Sequence, residues 1–246
     1  MFARRLPLRT TFNTRDLGGY WGKRGVTKYG RFLRSGDVSR CGEADIAALA
    51  RYGVKTVIDL RGQRECEFYP NVFPSGEIRC LNIPLIPDEL MYSEGFDLLG
   101  LARIYTDIIL ENSNGIRQLF SALAKGVSPD GTPSAGSAVL FHCSAGKDRT
   151  GIAAMLLLML AEVDLYDIMA DYQVSFTYNK VSNDSFLREH PTADINMLKS
   201  EPEWIAAAYR KIRQDGGAVE YLARAGVTEE EIKTITVALL GEDALR

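Results

Sequence analysis

Eleven consecutive residues, FHCSAGKDRTG at 141–151, place a nucleophile, two cations and two glycines in one short segment. Cys143 and Arg149 are separated by five residues, and a predicted strand precedes the segment while a predicted helix follows it. A five-residue loop that ends on a helix N-terminus turns its backbone N–H groups inward and forms a cup for a tetrahedral anion. The sequence therefore predicts a phosphate-sized anion site beside Cys143.

The side chains of this segment suit chemistry on a bound phosphate. Arg149 is planar and permanently charged, so its guanidinium can bind two phosphate oxygens at once. The same positive field favours the thiolate form of Cys143. A thiolate beneath a bound phosphoryl group is placed for in-line attack on phosphorus. We interpret the segment as a site of nucleophilic attack on a phosphate ester.

Three other kinds of segment share part of this pattern. A nucleotide-binding P-loop needs glycine at 141 and Ser or Thr after Lys147, where this chain has Phe141 and Asp148. A sulfur-transfer loop of the rhodanese kind also begins at a cysteine after a strand, but it lacks the Arg-Thr-Gly ending. A buried structural cysteine is the usual fate of a lone Cys, yet it leaves Gly146, Lys147 and Arg149 unexplained. The catalytic interpretation accounts for all three.

The string HCSAGKDRTG resembles the HC-x5-R-[ST] signature of cysteine-dependent phosphatases. More closely, the chain resembles the atypical bacterial and fungal branch of that superfamily, which acts on phosphotyrosine, phosphoserine or phosphothreonine, and phosphoinositides. Further matching segments span nearly the whole chain: FNTRDLGGY (12–20), GRFLRSGDVSR (30–40), TVIDLRGQRE (56–65), ADYQVS (170–175), AVEYLARAGV (218–227) and LLG (239–241). The resemblance implies a parallel sheet flanked by helices, a phosphocysteine intermediate, and neither a metal nor another cofactor.

The resemblance also assigns roles within the signature loop, residues 143–149, and to the residue after it. It implies that Cys143 is the nucleophile and that Arg149 holds the phosphate. The implied substrate-binding residues supply amides or side chains around the bound group: Ser144, Ala145, Gly146, Lys147 and Thr150. Thr150 is expected to hydrogen-bond the thiolate and to assist it as a leaving group. A catalytically silent phosphate-binding module on the same fold is the alternative, against which the presence of both Cys143 and Arg149 argues.

Lys147, His142 and the pair of Asp59 and Arg61 each keep two interpretations. Lys147 stands where resembling lipid phosphatases carry a lysine beside the inositol phosphates, or it is a rim lysine that points to water. His142 either holds the base of the loop or is an ordinary histidine at a strand end. Asp59 and Arg61 follow a core strand, where α/β sites are usually built. We interpret them as a pair that supports the loop, with a helix-capping role for Asp59 as the alternative.

The general acid is one of two carboxylates. No Trp-Pro-Asp loop exists, since neither Trp21 nor Trp204 is followed by proline. Asp88 follows the second core strand, roughly where dual-specificity relatives place their acid. Asp148 lies in the signature loop, where repulsion by a bound phosphate would raise its pKa and keep a proton available for the leaving oxygen. We favour Asp148 over Asp88, and stabilisation of the helix dipole is the other interpretation of Asp148.

Hydrophobic patterns place this loop in a single α/β domain over residues 1–246. Short strands and turns are predicted at 12–36, and buried strands at 54–60, 79–85 and 137–142. Helices are predicted near 43–52, 97–111, 115–125, 151–162 and 164–178, with a Gly-, Pro- and Ser-rich loop at 126–136. A polar stretch then extends to residue 200 and a helical tail follows. The expected fold is a cysteine-phosphatase-like parallel sheet flanked by helices, with a helical C-terminal half.

Composition narrows the class of protein and its partners. Of 246 residues, 46% are hydrophobic and 25% charged, which is ordinary for a globular protein with a core. The net charge of −3 argues against nucleic acid as a partner. The resemblance to the phosphatases implies a phosphorylated protein or a phosphoinositide as the partner. The longest apolar run, 152–161, is about half of what a bilayer span needs. The four cysteines form no CxxC motif, and the N-terminus shows no secretory signal. We therefore predict a cytoplasmic protein, with export by a route that uses no ordinary signal as the alternative.

Overall fold

The computed structural model describes residues 4–73, 78–86, 110–128 and 137–242. Five strands form the main sheet: β1 (Arg15–Asp16), β4 (Phe32–Ser35), β5 (Val54–Asp59), β6 (Arg79–Asn82) and β7 (Ala138–His142). Their order is β1-β4-β7-β5-β6, with β4, β7, β5 and β6 parallel and β1 antiparallel at one edge. Strands β2 (Trp21–Gly22) and β3 (Gly25–Val26) form a separate hairpin. The predicted parallel sheet is confirmed.

Nine α-helices lie in the described part of the chain, together with a 3-10 helix at Ile195–Leu198. They are α1 (Glu43–Tyr52), α2 (Gln63–Phe68), α3 (Ser113–Val127), α4 (Asp148–Leu160), α5 (Leu165–Tyr178), α6 (Lys180–Glu189), α7 (Pro202–Gln214), α8 (Ala218–Arg224) and α9 (Glu229–Leu240). None of these helices has both the length and the apolar composition that a bilayer crossing requires. The predicted helical C-terminal half is confirmed.

Several predicted boundaries differ from the structure. The predicted helix 151–162 begins at Asp148, because residues 148–150 form its first turn. Helix α3 continues to Val127 and so takes in the start of the predicted loop 126–136. The polar stretch before residue 200 contains α6 and the 3-10 helix. Most of the predicted helix 97–111, most of the loop 126–136 and Asp88 lie outside the described residues.

Strand β7 lies in the middle of the sheet. All five of its residues are buried, as expected for a parallel strand that is covered on both faces. It ends at His142, which lies beside Ser35 of β4 and Asp59 of β5 in the sheet register. Cys143 therefore begins its loop at the carboxyl end of the central strand, the edge at which α/β proteins build their sites.

Helix α4 is apolar on all sides and lies in the core. Every residue from Arg149 to Leu160 is buried, and the helix packs against β4, β7, α5, α7 and α8. A helix that is hydrophobic all round must be surrounded by other elements, and each fully buried Leu or Met contributes about 1.5–3 kcal/mol. This packing fixes the N-terminus of α4, with Asp148, directly after the end of β7 and the loop.

Candidate active site

The signature loop connects the end of β7 to the start of α4, and Cys143 at its base is 2% exposed. The chain turns sharply at Gly146, which has a positive φ of 62°. A Cβ atom at this position would lie 2.2 Å from the carbonyl oxygen of Ser35 on β4. Only glycine satisfies both the left-handed conformation and this close approach to the neighbouring strand.

Backbone carbonyls of the loop are held from outside. The carbonyl of Ser144 accepts a hydrogen bond from the N–H of Asp37 at 2.8 Å. The carbonyl of Ala145 accepts from the side-chain amides of Asn13 and Asn179, at 3.0 and 2.8 Å. These donors come from the N-terminal segment, from the loop after β4 and from the end of α5. Three separate parts of the chain therefore bind the carbonyls of Ser144 and Ala145.

The remaining carbonyls of the loop have similar partners. Asn13 Nδ2 also donates to Gly146 O at 2.9 Å. Arg34 Nη2 donates to the carbonyls of Gly146 and Lys147, at 2.8 and 3.2 Å. His142 Nδ1 donates to the Cys143 carbonyl at 3.2 Å. All five carbonyls from 143 to 147 are therefore bound by donors of the surrounding scaffold.

Outward carbonyls determine where the amides point. No peptide bond among the described residues is cis, and in a trans peptide the C=O and the following N–H point in opposite directions. The amides of residues 144–148 therefore face the side away from the scaffold, which is the inside of the turn. Converging backbone N–H groups at a helix N-terminus bind tetrahedral anions. Residues 144–148 therefore have the backbone arrangement that an anion cup requires.

A buried ion cluster fixes Arg34 against this loop. Asp171 of α5 accepts from Arg15 Nε at 2.7 Å and from Arg34 Nη1, and all three side chains are at most 2% exposed. Tyr20 donates its hydroxyl to the same carboxylate at 3.0 Å. Burial raises the pKa of Asp171, but the two guanidiniums outweigh it and hold that pKa well below its usual range. Arg15 and Arg34 lie in the matching segments 12–20 and 30–40, but the sequence pattern assigns no role to either.

Arg149 lies against a carboxylate that sequence analysis missed. Its Nη1 and Nη2 donate to Glu65 Oε2 and Oε1 at 2.5 and 3.0 Å. The hydroxyl of Ser144 donates to Glu65 at 2.5 Å and accepts from Arg149 at 3.1 Å. Burial raises the pKa of Glu65, but Arg149 outweighs it, so that this pKa falls to about 2. The one available signal was the position of Glu65 at the end of the matching segment 56–65.

Asp148 is a carboxyl with a raised pKa at the start of α4. Tyr172 of α5 donates its hydroxyl to Asp148 Oδ1 at 3.2 Å, and Lys147 Nζ lies 3.4 Å from the same oxygen. Burial raises the pKa of Asp148 to about 7, against the lowering influence of Arg149, Tyr172 and Arg34. A bound phosphate was expected to raise this pKa, whereas burial is the cause that raises it here.

Lys147 does not occupy either of its predicted positions. Its side chain is buried, with 4% exposed, and its ammonium donates to the carbonyls of Met197 and Lys199 at 2.9 and 2.8 Å. It is therefore not a rim lysine in water, and its donors face the chain rather than an open substrate site. Burial lowers the pKa of Lys147 to about 8, opposed by the charge of Cys143.

The pair Asp59 and Arg61 supports the loop through a third residue. Arg61 donates to Asp59 through Nε and Nη2, at 2.9 and 2.7 Å, and its Nη1 lies 3.0 Å from Asp37 Oδ1. Asp37 in turn donates its N–H to the loop at Ser144. His142 Nε2 lies 3.7 Å from Asp59, and burial lowers the pKa of this histidine although Asp59 opposes the shift. These contacts agree with the supporting role.

Two further expectations concern Thr150 and metals. The Thr150 hydroxyl is buried and has no hydrogen-bond partner within the described residues, so the expected bond to the Cys143 sulfur is not formed. Within the same residues, no group of three or more His, Cys, Asp or Glu side chains is arranged to hold a metal ion.

Comparison with known proteins places this geometry in a family. A model described as the tyrosine phosphatase family matches residues 6–241. The chain belongs to that family. A tyrosine-protein phosphatase of Nostoc commune is 34% identical over 230 residues, which cover 85% of this chain and 74% of the relative. The triple specificity protein phosphatase PtpB of Mycobacterium tuberculosis is 26% identical over 276 residues, which cover 92% of this chain and 99% of the relative.

A solved structure, that of TpbA from P. aeruginosa, is also similar at 17% identity. It covers 77% of this chain and 97% of the other, with a TM-score of 0.34, which is too low to add to the family assignment. Membership in the tyrosine phosphatase family identifies the chain as a cysteine-dependent phosphatase, a hydrolase of phosphate esters. The catalytically silent alternative gains no support from these relatives.

Proposed function

We propose that this phosphatase hydrolyses phosphotyrosine, and also phosphoserine or phosphothreonine, through a phosphocysteine intermediate on Cys143. The observation that carries the proposal is that the surrounding scaffold binds all five carbonyls from 143 to 147. The amides of residues 144–148 therefore face the opposite side of the loop that begins at Cys143. Relatives named tyrosine-protein phosphatase and triple specificity protein phosphatase support the substrate range.

In the first step, the Cys143 thiolate attacks phosphorus as the bond from phosphorus to the ester oxygen breaks. The cup amides and Arg149 bind the three non-bridging oxygens, on which charge accumulates in the transition state. Asp148 gives its proton to the departing oxygen, so that an alcohol or phenol leaves. The products are phosphocysteine, the released alcohol and an ionised Asp148.

In the second step, a water molecule attacks the phosphocysteine. Asp148, now a carboxylate, accepts a proton from the water as the new phosphorus–oxygen bond forms. The phosphorus–sulfur bond breaks and returns the thiolate of Cys143, while inorganic phosphate leaves the cup. A carboxyl with a pKa of about 7 is suited to both directions of this proton transfer near neutral pH.

Phosphoinositides remain proposed substrates on the resemblance alone. The residue that suggested them was Lys147, and its ammonium is bound to backbone carbonyls. We also propose a reducing, cytoplasmic location, for which the support is that the four cysteines, Cys41, Cys66, Cys80 and Cys143, are all free thiols.

The test compares the wild-type protein with Cys143→Ser and with Cys80→Ser as the matched control. Wild type should release phosphate from p-nitrophenyl phosphate and from phosphotyrosine, phosphoserine and phosphoinositide substrates. On each substrate, Cys80→Ser should have the same rate as wild type. Cys143→Ser should release none, yet it should bind a phosphotyrosine peptide in calorimetry, because the cup and Arg149 remain.

Rapid acid quenching should also recover phosphate bound covalently to the wild-type chain but not to Cys143→Ser. Absence of turnover by the wild-type protein on every substrate would refute the proposal. Turnover by Cys143→Ser would refute the phosphocysteine step while leaving the phosphatase activity in place.

A further inference from the structure

Two side-chain contacts join the signature loop to one segment of the chain. We call residues 180–199 the strap; it contains α6 and the 3-10 helix. Immediately before the strap, Asn179 donates to the carbonyl of Ala145 at 2.8 Å. At its far end, the carbonyls of Met197 and Lys199 accept from Lys147. The loop is therefore bonded to the residue that precedes the strap and to the last residues of the strap.

The ammonium of Lys147 is fully engaged. It has three hydrogens to donate, two of which bind Met197 O and Lys199 O at 2.9 and 2.8 Å. Asp148 Oδ1 lies 3.4 Å from the same nitrogen, and the ring of Trp204 on α7 lies 5.5 Å away. A substrate phosphate could reach this nitrogen only if the strap gave up its contacts.

We propose that Lys147 is a positioning residue, which ties the strap to the signature loop and influences the protonation of Asp148. In this proposal its ammonium does not bind the substrate. The second part rests on the proposed function, in which Asp148 is the general acid. The first part rests on the contacts alone. It assigns the strap to the scaffold that holds the loop carbonyls, beside Asn13 and Arg34.

A change of charge at Lys147 acts on Asp148 from 3.4 Å. The other groups that face Asp148 are Arg149, Tyr172 and Arg34. Loss of the ammonium removes one of the cations that favour the ionised carboxylate, so the pKa of Asp148 should rise. Even with water-like screening, one unit charge at this distance corresponds to about one pH unit. The basic limb of the rate profile should move upward by that amount.

The test uses Lys147→Met, which keeps the side chain's length without its charge, and Lys147→Arg, which keeps the charge. Lys233→Met, at an exposed position of α9, is the matched control. Each protein is assayed for kcat and KM against pH, on phenyl phosphate and on a water-soluble phosphoinositide, and for hydrogen exchange over residues 180–199.

We expect Lys147→Met to lower kcat about 10–100-fold on both substrates, to move the basic limb upward and to speed exchange in the strap. In Lys147→Arg the basic limb of the rate profile should lie at its wild-type pH, and Lys233→Met should match the wild type in every measurement. A raised KM for the phosphoinositide alone, with normal exchange and an unmoved limb, would overturn the proposal in favour of substrate reading. If Lys147→Met does not fold, Lys147→Gln takes its place, since it also removes the charge, and the expected outcomes are the same.

The outcome is separable from that of the proposed function. Hydrogen exchange measures the tie between Lys147 and the strap without any need for activity. If the wild-type protein hydrolyses no substrate, the proposed function fails, but the exchange experiment still tests the tie. If wild type is active and exchange in the strap is unchanged in Lys147→Met, the tie is wrong while the phosphatase function stands.

Discussion

Glu65 and Arg149 form a two-point ion pair at the signature loop, with the Ser144 hydroxyl bonded to both. Their side chains are 19% and 9% exposed, so neither is free to rotate into solvent. The pair fixes the plane of the guanidinium before any substrate arrives. Glu65 is itself held by α2, where its Oε2 accepts from the N–H of Gly62 at 3.0 Å.

Glu65→Gln should lower kcat/KM about 10–100-fold. The amide keeps the shape of the side chain but loses the charge that holds Arg149, so the guanidinium no longer has a fixed plane. Glu67→Gln is the control, since Glu67 lies exposed on the same helix and bonds Gln63. The measurement is steady-state kinetics on p-nitrophenyl phosphate. Tighter phosphate binding by Glu65→Gln would instead mean that Glu65 competes with substrate for Arg149.

Asp171→Asn should reduce the free energy of unfolding by about 3–5 kcal/mol, because it leaves Arg15 and Arg34 buried without a counter-charge. The pKa of Asp171 is lower in the folded than in the unfolded chain. Its stabilising contribution is therefore complete above the unfolded carboxyl pKa and is lost as the pH falls below it. Asp171→Asn should remove part of this acid sensitivity.

Urea unfolding between pH 3 and pH 7 measures both effects. The control is Asp184→Asn, which breaks an exposed pair with Lys180 and should cost about 0.3–0.5 kcal/mol. Equal losses for the two variants would show that the buried cluster contributes no more than a surface ion pair.

This cluster also shows what a single sequence leaves out. The segments that carry Arg15, Arg34 and Asp171 all match the family pattern, yet 156 residues separate the first from the last. Periodicity and spacing describe neighbours along the chain, so they predict strand β7, helix α4 and the loop between them. They contain no information about which distant carboxylate meets which arginine.

Lys147 illustrates the same limit. Its position in the loop was readable, but the direction of its side chain depends on the carbonyls of Met197 and Lys199, which belong to a segment predicted only as polar. Glu65 was equally hidden, because its partner Arg149 lies 84 residues further along the chain. The loop from Cys143 to Arg149, by contrast, consists of consecutive residues, so its position between β7 and α4 could be predicted.

Gly146→Ala should abolish most of the activity while leaving the rest of the fold in place. The added Cβ would lie 2.2 Å from the Ser35 carbonyl oxygen, and the backbone φ of 62° is strained for alanine. The loop must shift, so its amides lose their common direction. Gly42→Ala is the control, since its Cβ would meet nothing within 4 Å. Phosphate release and phosphate affinity measure the effect, and wild-type values for Gly146→Ala would contradict it.

Asp148→Asn should lower the rate about 10²–10⁴-fold on substrates with a poor leaving group. The acid must be protonated to act, and burial raises its pKa to about 7. The wild-type rate should therefore fall as the pH rises through about 7, and this basic limb should vanish in Asp148→Asn. Tyr172→Phe removes the hydrogen bond to Oδ1 that favours the carboxylate, so it should move the same limb to higher pH.

The comparison that decides the assignment sets Asp148→Asn against Asp88→Asn on phenyl phosphate and on p-nitrophenyl phosphate. The nitrophenolate leaves readily without a proton, so loss of the true acid should be severe on the first substrate and mild on the second. A helix-dipole role for Asp148 predicts instead a small loss of stability, about 0.3–1 kcal/mol, with the same rate change on both. If Asp88→Asn shows the selective loss and Asp148→Asn does not, the proton comes from Asp88, and the raised pKa of Asp148 reflects burial without a catalytic use.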